Sequence, residues 1–345
     1  MSSPRFDRRL AWECGFELAG VARAEPNGAA GRYLDWASRG LGGRMGYLAD
    51  RRAEIRTSPK HLMPSAQSII CVGKLYNGPQ PHSTSFNDVD RAWISRYAWG
   101  DDYHDLLRSG LERMAAKMHE SAEFEYKICV DTAPLLERSY ARDAGLGWIG
   151  KNTCLINQHA GSWFFLGELL VSLDLEPDSP PSARCGTCTR CIDACPTGAL
   201  AARADGTYEL DARVCISYFT IELRGTIPAE HRPAIGRHVF GCDICQDVCP
   251  WNRREAVTLE TAFRPHSYAP HLEKLALLSD AGFRAMFAGT PVTRSRYTGF
   301  LRNVAIAMGN AGSPRFREPL ERLAAHPDPL VSEHASWALA QLESA

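Results

Sequence analysis

An α+β architecture in three regions is what the sequence predicts, and three observations predict it. Short apolar runs alternate with helix-period patterns up to about residue 175. A cysteine-dense stretch follows from Cys185 to Cys249, and Ala/Leu-rich helical text begins after about residue 290. The boundaries expected from these shifts are 1–180 for an α/β-like domain, 181–260 for the cysteine region and 261–345 for a helical region.

In the first region, Ile69-Ile70-Cys71-Val72 and Ile128-Cys129-Val130 read as buried strands, and Leu107, Leu111, Met114 and Met118 recur at helical spacing. Segment 176–183, EPDSPPSA, is rich in Pro and Ser and reads as a linker. In the third region, 303–308 (NVAIAM) and 334–339 (HASWAL) place small residues at matching offsets roughly thirty positions apart. That spacing fits a HEAT-like helical repeat or two ordinary amphipathic helices.

The totals limit the function classes. Lys plus Arg number 39 against 40 Asp plus Glu, for a net charge of -1, so a polyanion must find a local basic patch rather than a global field. The N-terminus lacks a continuous apolar signal-peptide core, and no apolar run approaches the roughly 18 residues that span a bilayer. A cytoplasmic address with no membrane partner is therefore expected. In that reducing compartment 12 cysteines point away from a disulfide framework and toward metal or a cluster.

Cys185, Cys188, Cys191 and Cys195, followed by Pro196, spell the CxxCxxCxxxCP run of bacterial ferredoxins, which wraps thiolates around a [4Fe–4S] cubane. Cys242, Cys245 and Cys249 with Pro250 repeat its spacings, and Cys215 stands between the two runs. In two-cluster ferredoxins the last cysteine of each run crosses to the other cluster. That crossing assigns Cys185, Cys188, Cys191 and Cys249 to one cluster and Cys195, Cys215, Cys242 and Cys245 to the other. Closed zinc sites are the alternative use of CxxC pairs, against which the proline-terminated run argues. Cys14, Cys71, Cys129 and Cys154 stand alone and read as small buried hydrophobes without a redox role.

Between the second strand and the linker lie Asp131-Thr132-Ala133-Pro134 and a glycine-dense stretch, Gly145 to Gly150, whose composition implies close approach of the backbone to something. Asp131 follows a strand and could present a carboxylate at its end; equally, it could cap a helix beginning near Pro134. A basic cluster of Arg224, His231, Arg232, Arg237 and His238, with Arg253 and Arg254 beyond, reads either as a phosphate-contacting patch or as a solvated face.

Three passages, DTAPLLERSYARDAGLGWIGKNT, the ferredoxin-like run and YFTIELRGTIPAEHRPAIGRHVFGCDICQDVCPWN, together with the helical tail, resemble the epoxyqueuosine reductase family in order over most of the chain. The resemblance implies a corrinoid-binding N-terminal domain, a ferredoxin-like two-cluster domain and a HEAT-like, tRNA-contacting tail. It implies a cobalamin-dependent enzyme that removes the epoxide oxygen of epoxyqueuosine at the tRNA wobble position, fed by an external electron donor and expected as a monomer. The family is similar to reductive dehalogenases, which pair a corrinoid with two cubanes.

By the same resemblance Asp131 occupies the proton-donor position, a role that requires burial to raise its pKa toward neutrality. Arg56, the Arg96-Tyr97-Ala98 stretch, Asp131 and Ser217 would border the corrinoid, and Arg224, Arg232 and Arg237 would meet RNA. A DxHxxG pattern, which would mark a histidine as lower cobalt ligand, is absent, because Asp102-Tyr103-His104 is followed by Leu107 where the glycine would stand; His104 is expected to be structural. Three rival classes are a pure electron carrier, a corrinoid dehalogenase acting on a small molecule, and a zinc-bearing RNA-binding module. The N-terminal region argues against the first, the basic cluster and helical tail against the second, and the cubane motif against the third.

Overall fold

The computed structural model describes residues 3–253 and 256–344. Its centre is a sheet of four strands, β1 (Leu18–Arg23), β2 (Ser68–Leu75), β3 (Tyr126–Cys129) and β4 (Phe164–Val171), in the order β1-β2-β4-β3. Every pairing in it is antiparallel, so the N-terminal region is α+β rather than α/β. The run Ile69 to Val72 is continuous in hydrophobicity because both faces of β2 are covered. Ile70 and Val72 pack with Leu107, Leu111 and Met114 of helix α1 (Tyr103–His119) on one face, and Ile69 and Cys71 pack with Tyr140 and Ala141 of helix α2 (Glu137–Asp143) on the other.

The expected strand over 128–130 ends at Cys129, and the expected helix near Pro134 begins only at Glu137. Segment 176–183 has no regular element, as a linker would, but it is fastened along β1: Val21 donates its N–H to Asp178 Oδ2 (2.9 Å) and accepts the Asp178 N–H (2.8 Å).

The tail forms helices α3 (Tyr297–Ala311), α4 (Arg317–Ala324) and α5 (Pro329–Ser344), and the two similar segments fall in α3 and α5. These two helices touch closely at Gly309, where a Cβ would stand 2.8 Å from that of Ala338. Helix α3 also clamps the chain between Cys215 and Cys242. Buried Arg302 donates to the carbonyls of Leu223 (2.8 Å), Gly225 (2.7 Å) and Phe219, and Asn303 donates to those of Thr220 (2.8 Å) and Val239 (2.9 Å). Five backbone carbonyls are thereby paired, which fastens the segment that carries Ser217 to this helix. No helix among the described residues is long and apolar enough to cross a membrane.

Candidate active site

Asp131 stands just beyond β3 in a left-handed conformation, φ 48°, which aspartate tolerates better than most residues. A tight turn holds it: Thr132 donates its N–H to the Val130 carbonyl (2.5 Å), and Asp131 donates its own N–H to Glu137 Oε1 (2.5 Å). The helix-cap reading therefore fails, since α2 is preceded by Leu136 with no side-chain cap. The Asp131 carboxylate instead meets His104 Nε2 at 3.2 Å through Oδ2, with Arg294 Nη1 at 3.8 Å.

His104 is oriented from its other side. Asp102 caps α1 by accepting the His104 N–H (3.1 Å), and the same Oδ1 meets His104 Nδ1 at 2.6 Å. The ring stacks on Tyr103, which in turn stacks on Phe165. His104 thus holds the Asp131 carboxylate from outside the cavity, and with both nitrogens engaged it is not free to ligate cobalt. The missed signal is local: Asp102-Tyr103-His104 is a cap followed by a ring on the first turn, facing wherever the helix N-terminus points.

The electrostatics reverse one expectation. Burial pushes the Asp131 carboxyl up, but the hydrogen bond and charge of His104, then Arg294 and Tyr103, outweigh it, and the group stays below the usual carboxylate range. The raised groups are its neighbours. Hydrogen bonds to Asp102 and Asp131 lift His104 to about 9, against the cost of its partial burial. Burial, then the Asp131 charge, pushes Glu137 up to about 8. At neutral pH the protons sit on His104 and Glu137, and Asp131 is the anion between them.

Asp131 lines a cavity of about 390 Å³ together with Tyr97, Tyr103, Ser217 and five cysteines: Cys154, which is outside the expected sets, and Cys195, Cys215, Cys242 and Cys245. Cys185, Cys188, Cys191 and Cys249 line a separate cavity of about 260 Å³. Each cavity therefore gathers one of the two expected crossed sets. Among the described residues no group of His, Cys, Asp and Glu converges tightly enough for a single metal ion. Thiols spread around a cavity suit a cubane better, and the donor set, all sulfur, is that of an iron–sulfur cluster.

Arg56 faces a neighbouring space of about 560 Å³ that also contains Asp131, Tyr33 and Arg294, and it donates to the Tyr47 carbonyl (3.1 Å). Ala98 is corrected: it is buried among Ile94, Trp99, Val239 and Phe240 and lines neither space, whereas its neighbour Tyr97 does line the first. Arg96 is buried as well, donating to Asn77 Oδ1 (2.7 Å) and to the carbonyls of Gly78 and Gln80.

The basic cluster does not form a continuous patch. Arg232 is 5% exposed, donates to the Ile227 carbonyl (2.9 Å) and pairs with Glu333, so it braces the fold and is removed from the expected RNA contacts. Arg237 is half-buried over the Trp93 ring and donates to the carbonyls of Phe86, Asp88 and Arg91, which removes it too. His238 is buried, and burial lowers its pKa to about 4, so it carries no charge. His231 is half-buried against the Phe219 ring. Arg224 and Arg253 are exposed, although Arg224 also donates to the carbonyls of Ile221 and Ser295. Arg254 lies outside the described residues.

A mixed helix–sheet scaffold that brings a histidine-held aspartate to one cavity with the four thiols of one expected set, beside a second such set, defines an iron–sulfur oxidoreductase. Residues 184–252 match the family model "4Fe-4S double cluster binding domain", and residues 56–132 match "Epoxyqueuosine reductase QueG, DUF1730". The chain is 42% identical over 340 residues to the epoxyqueuosine reductase of Xanthomonas campestris pv. campestris, covering 97% of this chain and 94% of that one. Among solved structures it resembles an epoxyqueuosine reductase with a tRNA-Tyr epoxyqueuosine-modified stem loop (TM-score 0.86, 29% identity, 97% and 88% of the two chains). It also resembles that of Streptococcus thermophilus (TM-score 0.87, 32% identity, 98% and 90%). The chain belongs to the epoxyqueuosine reductase family.

Proposed function

We propose that the chain reduces epoxyqueuosine to queuosine at the wobble position of tRNA, using two [4Fe–4S] clusters and cobalamin. Opening an epoxide to an alkene and water consumes two electrons and two protons. The observation that carries the reading is the shared cavity, which Asp131, held by His104 at 3.2 Å, lines together with the thiols of one cluster set.

The residues fit a corrinoid. The two spaces adjoin at Asp131, Glu137 and Arg138, and the first is walled by the rings of Tyr97, Tyr103 and Phe165, surfaces suited to a flat macrocycle. Tyr97, Arg56 and Ser217 would border it. When bound, cobalamin supplies a low-potential cobalt centre that passes electrons from the clusters to the substrate.

The chain's own residues handle the protons. His104 holds one on Nε2 against Asp131 Oδ2, and Asp131 relays it to the leaving oxygen, an assignment that replaces a directly protonated Asp131. Glu137, beneath the Asp131 backbone, holds a second. Asp102 fixes the His104 ring, and Arg294, paired with Glu222 at 2.8 Å, limits the negative charge of the site.

The remaining assignments extend the same reading. The catalytic domain spans 1–180, the cluster domain 181–260 and a HEAT-like, tRNA-contacting tail 261–345. Exposed Arg224 remains a phosphate contact. The protein works as a cytoplasmic monomer with an external one-electron donor. A small-molecule dehalogenase reading gains nothing from this geometry.

The test is anaerobic turnover of a stem loop carrying epoxyqueuosine by reconstituted protein, with the nucleoside weighed by mass spectrometry. Loss of one oxygen atom only when cobalamin is present supports the proposal; retention of the oxygen with both clusters and corrinoid assembled overturns it.

A further inference from the structure

The cavity that gathers Cys185, Cys188, Cys191 and Cys249 has different surroundings from the one that Asp131 lines. Among the described residues Asn152 alone lines both, and its Nδ2 donates to the Cys245 carbonyl (3.2 Å), which sets the two cysteine groups side by side. The inner set shares its cavity with Asp131, so the outer set is the one left to receive electrons. It lies near the surface. Cys185, Cys188 and Cys191 are half-buried, and the residues between them, Gly186, Thr187, Thr189 and Arg190, are exposed and mostly short. Three cations, Lys151, Arg184 and Arg190, line this cavity, and no Asp or Glu is among the described residues that do. Arg184 and Arg190 are exposed, and neither forms an ion pair among the described residues. Asp193, which accepts from Thr189 Oγ1 (2.8 Å), is the single acid between Arg184 and Cys195. Exposed Arg253 stands two residues beyond Trp251 of the same cavity. On a chain of net charge -1 this is a local positive field around one cluster set.

We propose that the face around Cys185, Cys188 and Cys191, ringed by Lys151, Arg184 and Arg190, is the docking surface for a small acidic protein that carries a one-electron centre. The carrier gives up one electron and is oxidised, and the outer [4Fe–4S] cluster takes up that electron and is reduced. No bond forms or breaks and no proton moves; two successive dockings supply the two electrons of the reaction. The cations steer the acidic carrier toward the cluster, and because they are exposed they act on the rate of association more than on affinity, with an effect that salt weakens. A carrier fits this face better than RNA does, since the cations gather at the cluster set that does not share the Asp131 cavity. The inference rests on the cluster reading and not on the tRNA reading.

Anaerobic stopped-flow mixing of the reconstituted full chain with an acidic flavodoxin in its hydroquinone form tests it, the electron being followed by the appearance of the flavin semiquinone. The proteins compared are wild type, the double variant Arg184→Glu/Arg190→Glu and the charge-keeping double variant Arg184→Lys/Arg190→Lys, each with iron content measured. At low salt the Glu variant should lose about tenfold or more in the bimolecular rate, and its rate should no longer fall with ionic strength as that of wild type does. The Lys variant should stay close to wild type. Binding of oxidised flavodoxin, read by calorimetry with no electron flow, should weaken in the Glu variant alone. Reduction of all three proteins by photoreduced deazaflavin, a small donor that needs no docking surface, should be equal. Equal flavodoxin rates in wild type and the Glu variant overturn the proposal. Equal slowing with both donors also overturns it, by placing the effect on the cluster and not on docking. So does an unchanged flavodoxin rate accompanied by a lower salt slope for stem-loop binding, which would give the face to RNA. A wild type with fewer than about eight irons would overturn the cluster reading and this inference with it, a result separable from failed tRNA turnover.

Discussion

His104 Nε2 lies 3.2 Å from Asp131 Oδ2, and the ring is held there by Asp102 at its opposite nitrogen. A carboxylate that accepts from an imidazolium differs from a lone buried acid. It stays ionised while its partner stores the proton, and the working pH range is set by the histidine.

That arrangement predicts the pH dependence. His104 is raised from 6.5 to about 9, so its stabilising contribution is complete below 6.5 and is lost as pH rises through 9. The activity should fall on the same limb. Removing the larger cause with Asp102→Asn should move both the alkaline limb and the His104 titration, followed by NMR, toward 6.5. An unchanged limb in that variant would show that another group controls it.

Glu168 makes a second pH prediction. It sits in β4 opposite Cys71 and Cys129, is fully buried, and neither carboxyl oxygen has a partner. Burial, then the charges of Glu137 and Asp131, raises its pKa well above 4.5. The folded state therefore holds a proton that the unfolded state releases, so its contribution is complete below 4.5 and declines as pH rises above that value. Glu168→Gln should flatten the decline of Tm between acid and alkaline pH; a parallel decline in both proteins would contradict it.

The cavities predict how the clusters are ligated. Cys249→Ala should lose the same EPR signal as Cys185→Ala, and Cys242→Ala should lose the other, each leaving about four irons rather than about eight. Shared loss by Cys249→Ala and Cys242→Ala would mean that each run holds its own cluster.

Much of this was legible in the sequence, for a physical reason. Cubane ligation demands fixed spacings, so the cysteine runs carry their chemistry locally, as did the strand Ile69 to Val72 and the helix through Leu107. What depended on tertiary contact was not legible. Whether Arg232 meets solvent or Glu333 is decided by α5, a hundred residues away, and whether Ala98 faces a cavity is decided by Val239 and Phe240. The pairing of His104 with Asp131 brings a helix start to a strand end, and no sequence period records it.

The correction at Arg232 can itself be checked. Arg232→Ala should lower stability by about 2 kcal/mol, the scale of a hydrogen bond to a charged group. It should leave the salt dependence of stem-loop binding unchanged, whereas loss of a phosphate contact would reduce that slope by about one.

The most direct test of the account is single turnover of an epoxyqueuosine stem loop by wild type and Asp131→Asn, both with full iron and corrinoid content. The account predicts that Asp131→Asn binds the stem loop normally but turns it over about 10²–10⁴-fold more slowly. Equal rates for the two proteins would contradict it.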